Sequence, residues 1–136
     1  MTAAIALQTA LFAALSADTD VQAALGTPPR IYDSVPRAPT FPYATLGDAT
    51  EAPWNTKTEQ GTEHRLALTL WSRASGHKES KEIAATLIDT IDHATIAPEA
   101  HTLVNLTFTD GTHGLEPDGV TYRTTLHYRA VTEPQA

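Results

Sequence analysis

The sequence predicts an α+β domain: a mostly antiparallel sheet of four to five strands with two main helices packed on it and a long hairpin arm. Three observations carry this. Two long segments read as helices, one by composition and one by a 3.6-residue apolar period. Four segments read as strands, the clearest by strict alternation. Gly-, Pro- and Asp-rich turns then set the order helix, helix, strands, helix, strands. With 136 residues, 41% of them hydrophobic, the chain is read as one domain over 1–136, large enough to bury a core without disulfides or metals.

The first helix runs from Ala3 to about Ser16, rich in alanine and leucine. Ile5, Leu7, Leu11, Phe12 and Leu15 fall within an arc of about 160° and form the expected core face. Ala6, Ala10 and Ala13 lie opposite, with no charge before Asp18. That face either meets water passively or lets a neighbouring subunit approach closely. Asp18 is placed to cap a second helix, Thr19–Leu25, and Gly26 follows its end. Five prolines between Pro28 and Pro42 exclude helix and interior strand, so this run is expected to lie extended on the surface, with a brief edge pairing at Ile31-Tyr32.

Tyr43–Gly47 reads as a strand and Asp48–Gly61 as a polar excursion, the hairpin arm. In Glu63–Ser72, Leu66, Leu68 and Leu70 point one way, while Arg65, Ala67, Thr69 and Trp71 point the other. A helix starting near Ser75 or Gly76 places Glu79 in its first turn, where a carboxylate favours the dipole. Its apolar stripe is Ile83, Ala84, Leu87, Ile88 and Ile91, and Pro98 ends the region. In Thr102–Thr109, Val104, Leu106 and Phe108 form one face. In Val120–Thr132, Tyr122, Leu126, Tyr128 and Ala130 oppose Arg123, His127 and Arg129. The link Asp110–Gly119 reads as turn chemistry, and residues 132–136 as a frayed tail.

Function classes fall away by chemistry. Nine Lys+Arg against 16 Asp+Glu give a net charge of −7, which opposes wrapping nucleic acid through its phosphates. Without cysteine there is no thiol catalysis, Cys-ligated zinc or iron–sulfur cluster, and the composition fits a reducing compartment. No basic flank precedes the apolar stretch Ala3–Leu15, which is also too short to span a bilayer, so neither a secretion signal nor a membrane anchor is expected. His77-Lys78-Glu79 matches half of a zinc-deaminase signature whose cysteine half is missing, and reads as a solvated helix start. Asp89 and His93 stand one turn apart with no third metal ligand placed by any motif. Ser34, Ser72, Ser75 and Ser80 sit where turns and helix starts use serine, and no nucleophile elbow or phosphate-binding loop accompanies them. The Asn105-Leu106-Thr107 sequon lies in a strand and is set aside. No cofactor is expected.

Trp54, in the polar arm, is either an interface anchor or a ring folded back on the sheet. Arg65, Arg123, His127 and Arg129 either pair with acids of a neighbouring copy or form a solvated sheet face. Trp71 argues that this face is not fully wet.

The succession ALQTALFAALSADTDVQAALG, PPRIYDSVP, FPYATLGD, WNTKTEQGTEHRLALTLWSRASGHKESKEIA and YRTTLHYRAVTEP spans nearly the whole chain. It resembles the small tail-completion proteins of long-tailed phages, and most closely the tail terminators of the gene transfer agents of Rhodobacter and its alphaproteobacterial relatives. The resemblance implies a structural virion protein and no enzyme. It implies a ring, six-membered in this family, that ends the tail tube and joins tail to neck at the neck–tail junction. The implied partners are further copies of the chain, the tail tube protein and the neck or stopper protein. DNA is met only in transit through the channel, no membrane is involved, and assembly takes place in the bacterial cytoplasm. On this basis the interface candidates are Trp54, Lys57, Glu59, Trp71, Arg65, Arg123 and Arg129. The alternatives are a head-closure or neck protein, a tail-assembly chaperone, or, from another class, a small metal-dependent hydrolase using Asp89 and His93.

Overall fold

A computed structural model describes residues 2–56 and 60–135. Helices α1 (Ala3–Ala17) and α2 (Thr19–Leu25) lead through the proline-rich run to β1 (Ile31–Tyr32) and β2 (Tyr43–Pro53). Then come β3 (Thr62–Ser72), α3 (Lys78–His93), β4 (His101–Leu115) and β5 (Tyr122–Pro134). The five strands form one sheet in the order β1-β2-β3-β5-β4. Every neighbouring pair is antiparallel except β1–β2, which meets in parallel over Ile31↔Ala44 and Tyr32↔Thr45. The fold is α+β with a mostly antiparallel sheet.

The helices are anchored by single side chains. Asp18 accepts from the Val21 amide at 3.0 Å, capping α2, and the same oxygen accepts from Thr90 Oγ1 at 3.1 Å on α3. One carboxylate thus caps one helix and pins another; a cap alone contributes about 1 kcal/mol. α3 lies across β3 and β5 and buries Ile83, Ala84, Leu87 and Ile91 of its expected stripe. These side chains meet Leu68 and Leu70 of β3, Leu126 and Tyr128 of β5, and Leu11 and Leu15 of α1. All of this packing uses one face of the sheet.

The structure corrects the sequence reading in five places. In α1 the buried residues are Ala6, Leu7, Leu11 and Leu15, while Ile5 is 56% exposed and Phe12 is exposed too. Small alanines let α1 sit close against its neighbours, so the buried arc is turned toward Ala6, Ala10 and Ala14. β2 does not stop at Gly47. After an irregularity between Leu46 and Ala49 it stays paired with β3 to Pro53↔Thr62, so much of the arm is ladder.

β4 runs through the Asp-Gly-Thr-His-Gly stretch to Leu115, and the turn falls at 116–121. Gly114 pairs with Arg123 in the ladder, and the guanidinium folds over the glycine, 2.6 Å from where a Cβ would stand. Bulges between Leu103 and Asn105 and between Phe108 and Asp110 break the expected Val104/Leu106/Phe108 face. Leu103 and Leu106 reach the core while Val104 and Phe108 stay exposed. The expected frayed tail is strand as far as Pro134: Thr132 is buried, Pro134 pairs with His101, and the Gln135 amide donates to Ala100. Ala136 lies outside the described residues.

Two stability outcomes follow from this packing. Leu87 is fully buried between α3 and the sheet, so Leu87→Ala should lower the urea unfolding free energy by about 3 kcal/mol. His64 is buried in β3 with Nε2 2.9 Å from Thr132 Oγ1, and burial lowers its pKa below the ordinary histidine value. The unfolded chain then binds the proton more readily. Stability should be full above about pH 6.5 and fall as the solution is acidified through that value. Thermal unfolding of His64→Gln across the same range should lack that portion of the slope.

Candidate interface on the uncovered sheet face

Alternation along β3 turns Glu63, Arg65, Ala67, Thr69 and Trp71 away from the helices. Register places Val131, Arg129, His127, Thr125 and Arg123 of β5 beside them. No helix covers this face among the described residues. It carries two clusters.

The first is built on Glu63. Its Oε2 accepts from Arg129 Nη2 at 2.8 Å and Nε at 3.0 Å, and its Oε1 accepts from Arg65 Nε at 3.2 Å. The Arg129 hydrogen bond is the main cause that holds the Glu63 carboxyl below the usual carboxylate range. The Arg129 guanidinium in turn lies 4.9 Å from the centre of the Trp54 ring. Trp54 is therefore folded back over the sheet yet remains 46% exposed. Its backbone is clasped by Gly61: the Trp54 amide donates to the Gly61 carbonyl at 2.8 Å, and a Cβ on Gly61 would stand 2.7 Å from the Trp54 carbonyl. Only glycine permits that approach.

The second cluster is aromatic. Trp71 stacks on Tyr43 at 6.3 Å, and Tyr43 also meets Phe41 at 5.0 Å and Tyr32 at 5.9 Å. Arg73 lies 4.1 Å over Phe41. Arg123, opposite Trp71 in register, pairs with Glu116. Between the clusters His127 stands 3.2 Å from Asp110. Arg65, Arg123 and Arg129 on this face thus each have an acid within their own chain.

Trp54, Arg65, Trp71, Arg123 and Arg129 all lie on this one face, gathered from the arm and two strands. Lys57 and Glu59 lie outside the described residues. The other candidates stay apart. Ser72 Oγ donates to Glu79 at 2.8 Å and Ser80 Oγ to the His77 carbonyl at 3.1 Å. The His77 ring packs edge-on against Tyr122. His93 and Asp89 form an exposed pair on the α3 surface, and the Asp89 carbonyl followed by its carboxylate raises the His93 pKa. Among the described residues no three His, Asp or Glu side chains group to hold a metal, and no helix is long and apolar enough to cross a membrane.

With this geometry in view, the comparisons with known proteins are specific. The family model described as tail completion protein gp17 matches residues 9–133. The chain belongs to that family. A solved chain from the virion of a native gene transfer agent particle is similar over 96% of both chains, with 30% identity and a TM-score of 0.86. The gp17 protein of bacteriophage SPP1 shares the fold at a TM-score of 0.61 and 19% identity, over 94% of this chain and 89% of that one. No protein of curated function matches the sequence significantly. This tail completion protein is accordingly a structural component of a phage or gene-transfer-agent particle and not an enzyme.

Sequence reasoning missed one surface of this tail completion protein. A cleft of ≈170 Å³ opens between α1 and the β2–β3 hairpin, lined by Ile5, Gln8, Leu46, Ala49 and Leu66 with His64 and Tyr128 among its walls. The signal for it was weak, because α1 offers two rival apolar arcs and no charge to choose between them.

The Glu63 clasp makes a pH prediction. Because the folded carboxyl titrates below its ordinary value, Trp54 should stay docked through the normal glutamate range and release only as pH falls further. Trp54 emission, read in a Trp71→Phe background, should shift red under acid. Gly61→Ala should give a similar shift at neutral pH.

Proposed function

We propose that this chain forms a ring, six copies in the reading its family resemblance implies, that ends the tail tube and joins the tail to the neck. DNA passes through the central channel. The observation that carries the reading is the likeness over 96% of the chain to a gene-transfer-agent virion component, joined to a sheet face that keeps Trp54, Arg65 and Trp71 accessible. A monomeric protein gains little from an arm that holds a tryptophan 46% exposed, whereas an interface gains a rigid anchor. The partners in this reading are other copies, the tail tube protein and the neck or stopper protein, met at the neck–tail junction after assembly in the bacterial cytoplasm. The net charge of −7 suits a conduit, since a negative surface repels phosphates and lets DNA slide.

Deleting the chain tests this directly. Tails of abnormal length, or tails unattached to heads, are expected; capped and joined tails of normal length in its absence would overturn the proposal. Trp54→Ala removes an exposed ring and a cation–π contact worth about 0.5–1 kcal/mol, so thermal unfolding should change little. Incorporation into particles, measured by quantitative mass analysis, should nevertheless drop severalfold. Wild-type incorporation would remove Trp54 from the interface.

A further inference from the structure

Among the described residues the sheet has two uncovered edges, and they suit each other. β4 pairs only with β5, so its outer side is free over His101–Leu115. At the opposite edge β1 covers only Ala44 and Thr45, which leaves β2 free from Gly47 to Pro53 on the side away from β3. Proteins usually guard such edges with lysine or proline. β4 contains neither and has one acid, Asp110, while the free stretch of β2 carries Glu51 and is closed by Pro53, which has no amide to donate. Between its bulges Asn105–Phe108 is a regular stretch, as is Ala49–Pro53 beyond the irregularity in β2.

Register ties the two edges to the same level. Thr50, Arg65, Arg129 and Thr107 form one row across the sheet, and Ala49, Leu66, Tyr128 and Phe108 form the next. Rotation about an axis running along the strands preserves strand direction. β2 and β4 run oppositely within the chain, so the β4 of one copy meets the β2 of the next in antiparallel fashion.

A second, independent feature agrees. Phe108 pairs with Tyr128, a core-facing residue, and so projects on the helix side of the sheet; yet it is 37% exposed. The cleft under α1, with Ile5, Leu46, Ala49 and Leu66, lies on that same side and directly beside the free β2 edge. In a sheet continued from copy to copy the helix side remains the helix side. The exposed Phe108 of one copy then stands next to the open cleft of its neighbour.

We infer that copies of this chain join head to tail by antiparallel pairing of Asn105–Phe108 of one with Ala49–Ala52 of the next, Phe108 entering the α1 cleft. The joint is heterologous, using two different edges, and repeats to closure. It specifies how the ring of the preceding section is held and rests on that reading.

The chain has no cysteine, which makes the test clean. Thr50 and Thr107 are exposed and on the uncovered face, so Thr50→Cys with Thr107→Cys in one chain should fold normally. Particles carrying it are purified under reduction, oxidised or treated with a short bis-maleimide, and run on a denaturing gel. A ladder ending at a closed oligomer is expected from the double variant, and no cross-link from either single variant. Ala52→Cys with Asn105→Cys samples the neighbouring row of the same face and covers a small stagger. Adding Ile5→Asp, which places a charge in the cleft, should cut the ladder about tenfold. Three results overturn the inference. The chain can be present in many copies per particle yet give no ladder from either pair, which leaves the ring reading standing. Single variants can form dimers, which shows twofold pairing. The chain can be absent as a multi-copy component, in which case the ring reading fails as well.

Discussion

The constraint on which this structure depends is that a five-stranded sheet is packed by helices on one side only. Leucines on alternate positions of β3 and β5 need cover, and α3, braced by α1 and α2, supplies it. Among the described residues no second helical layer covers the other face. That face is held by local devices instead: the Glu63–Arg129–Trp54 cluster at the arm and the Trp71–Tyr43–Phe41 stack at the other end. A two-layer domain with one dressed and one undressed side is the arrangement that the proposed assembly would complete.

Charge and chemistry agree with this division. The cations on the uncovered face are matched by acids of the same chain, so they are preorganised at modest energetic cost rather than left as free positive charge. Exposed ion pairs contribute little to folding, but they fix the orientation of the aromatic groups they touch. Several serines and histidines are spent on structural hydrogen bonds, as when Ser72 reaches Glu79 and His64 reaches Thr132.

Much of this was legible in the residues. The alternation of Leu66, Leu68 and Leu70, the stripe of α3 and the Asp18 cap each encode one local preference, and the structure uses them as read. Legibility failed where a tertiary partner outweighs local preference. The Asp-Gly-Thr-His-Gly stretch carries turn residues, yet β5 and Arg123 draw it into a strand. The alanine-rich α1 has no polar stripe, so only the neighbouring elements decide which arc is buried. Alternation alone puts Arg65, Trp71, Arg123 and Arg129 at outward strand positions, and only Trp54 in the arm lacks a periodic signal. That they share a face follows from strand order, which puts β5 beside β3 and not beside β4 alone.

The central claim, that the uncovered face is an assembly surface, is tested most directly by hydroxyl-radical footprinting of the two tryptophans in the free chain and in purified particles. Strong oxidation of Trp54 in the free chain and its protection in the particle is the predicted result. Equal oxidation of Trp54 and Trp71 in both states would contradict the account.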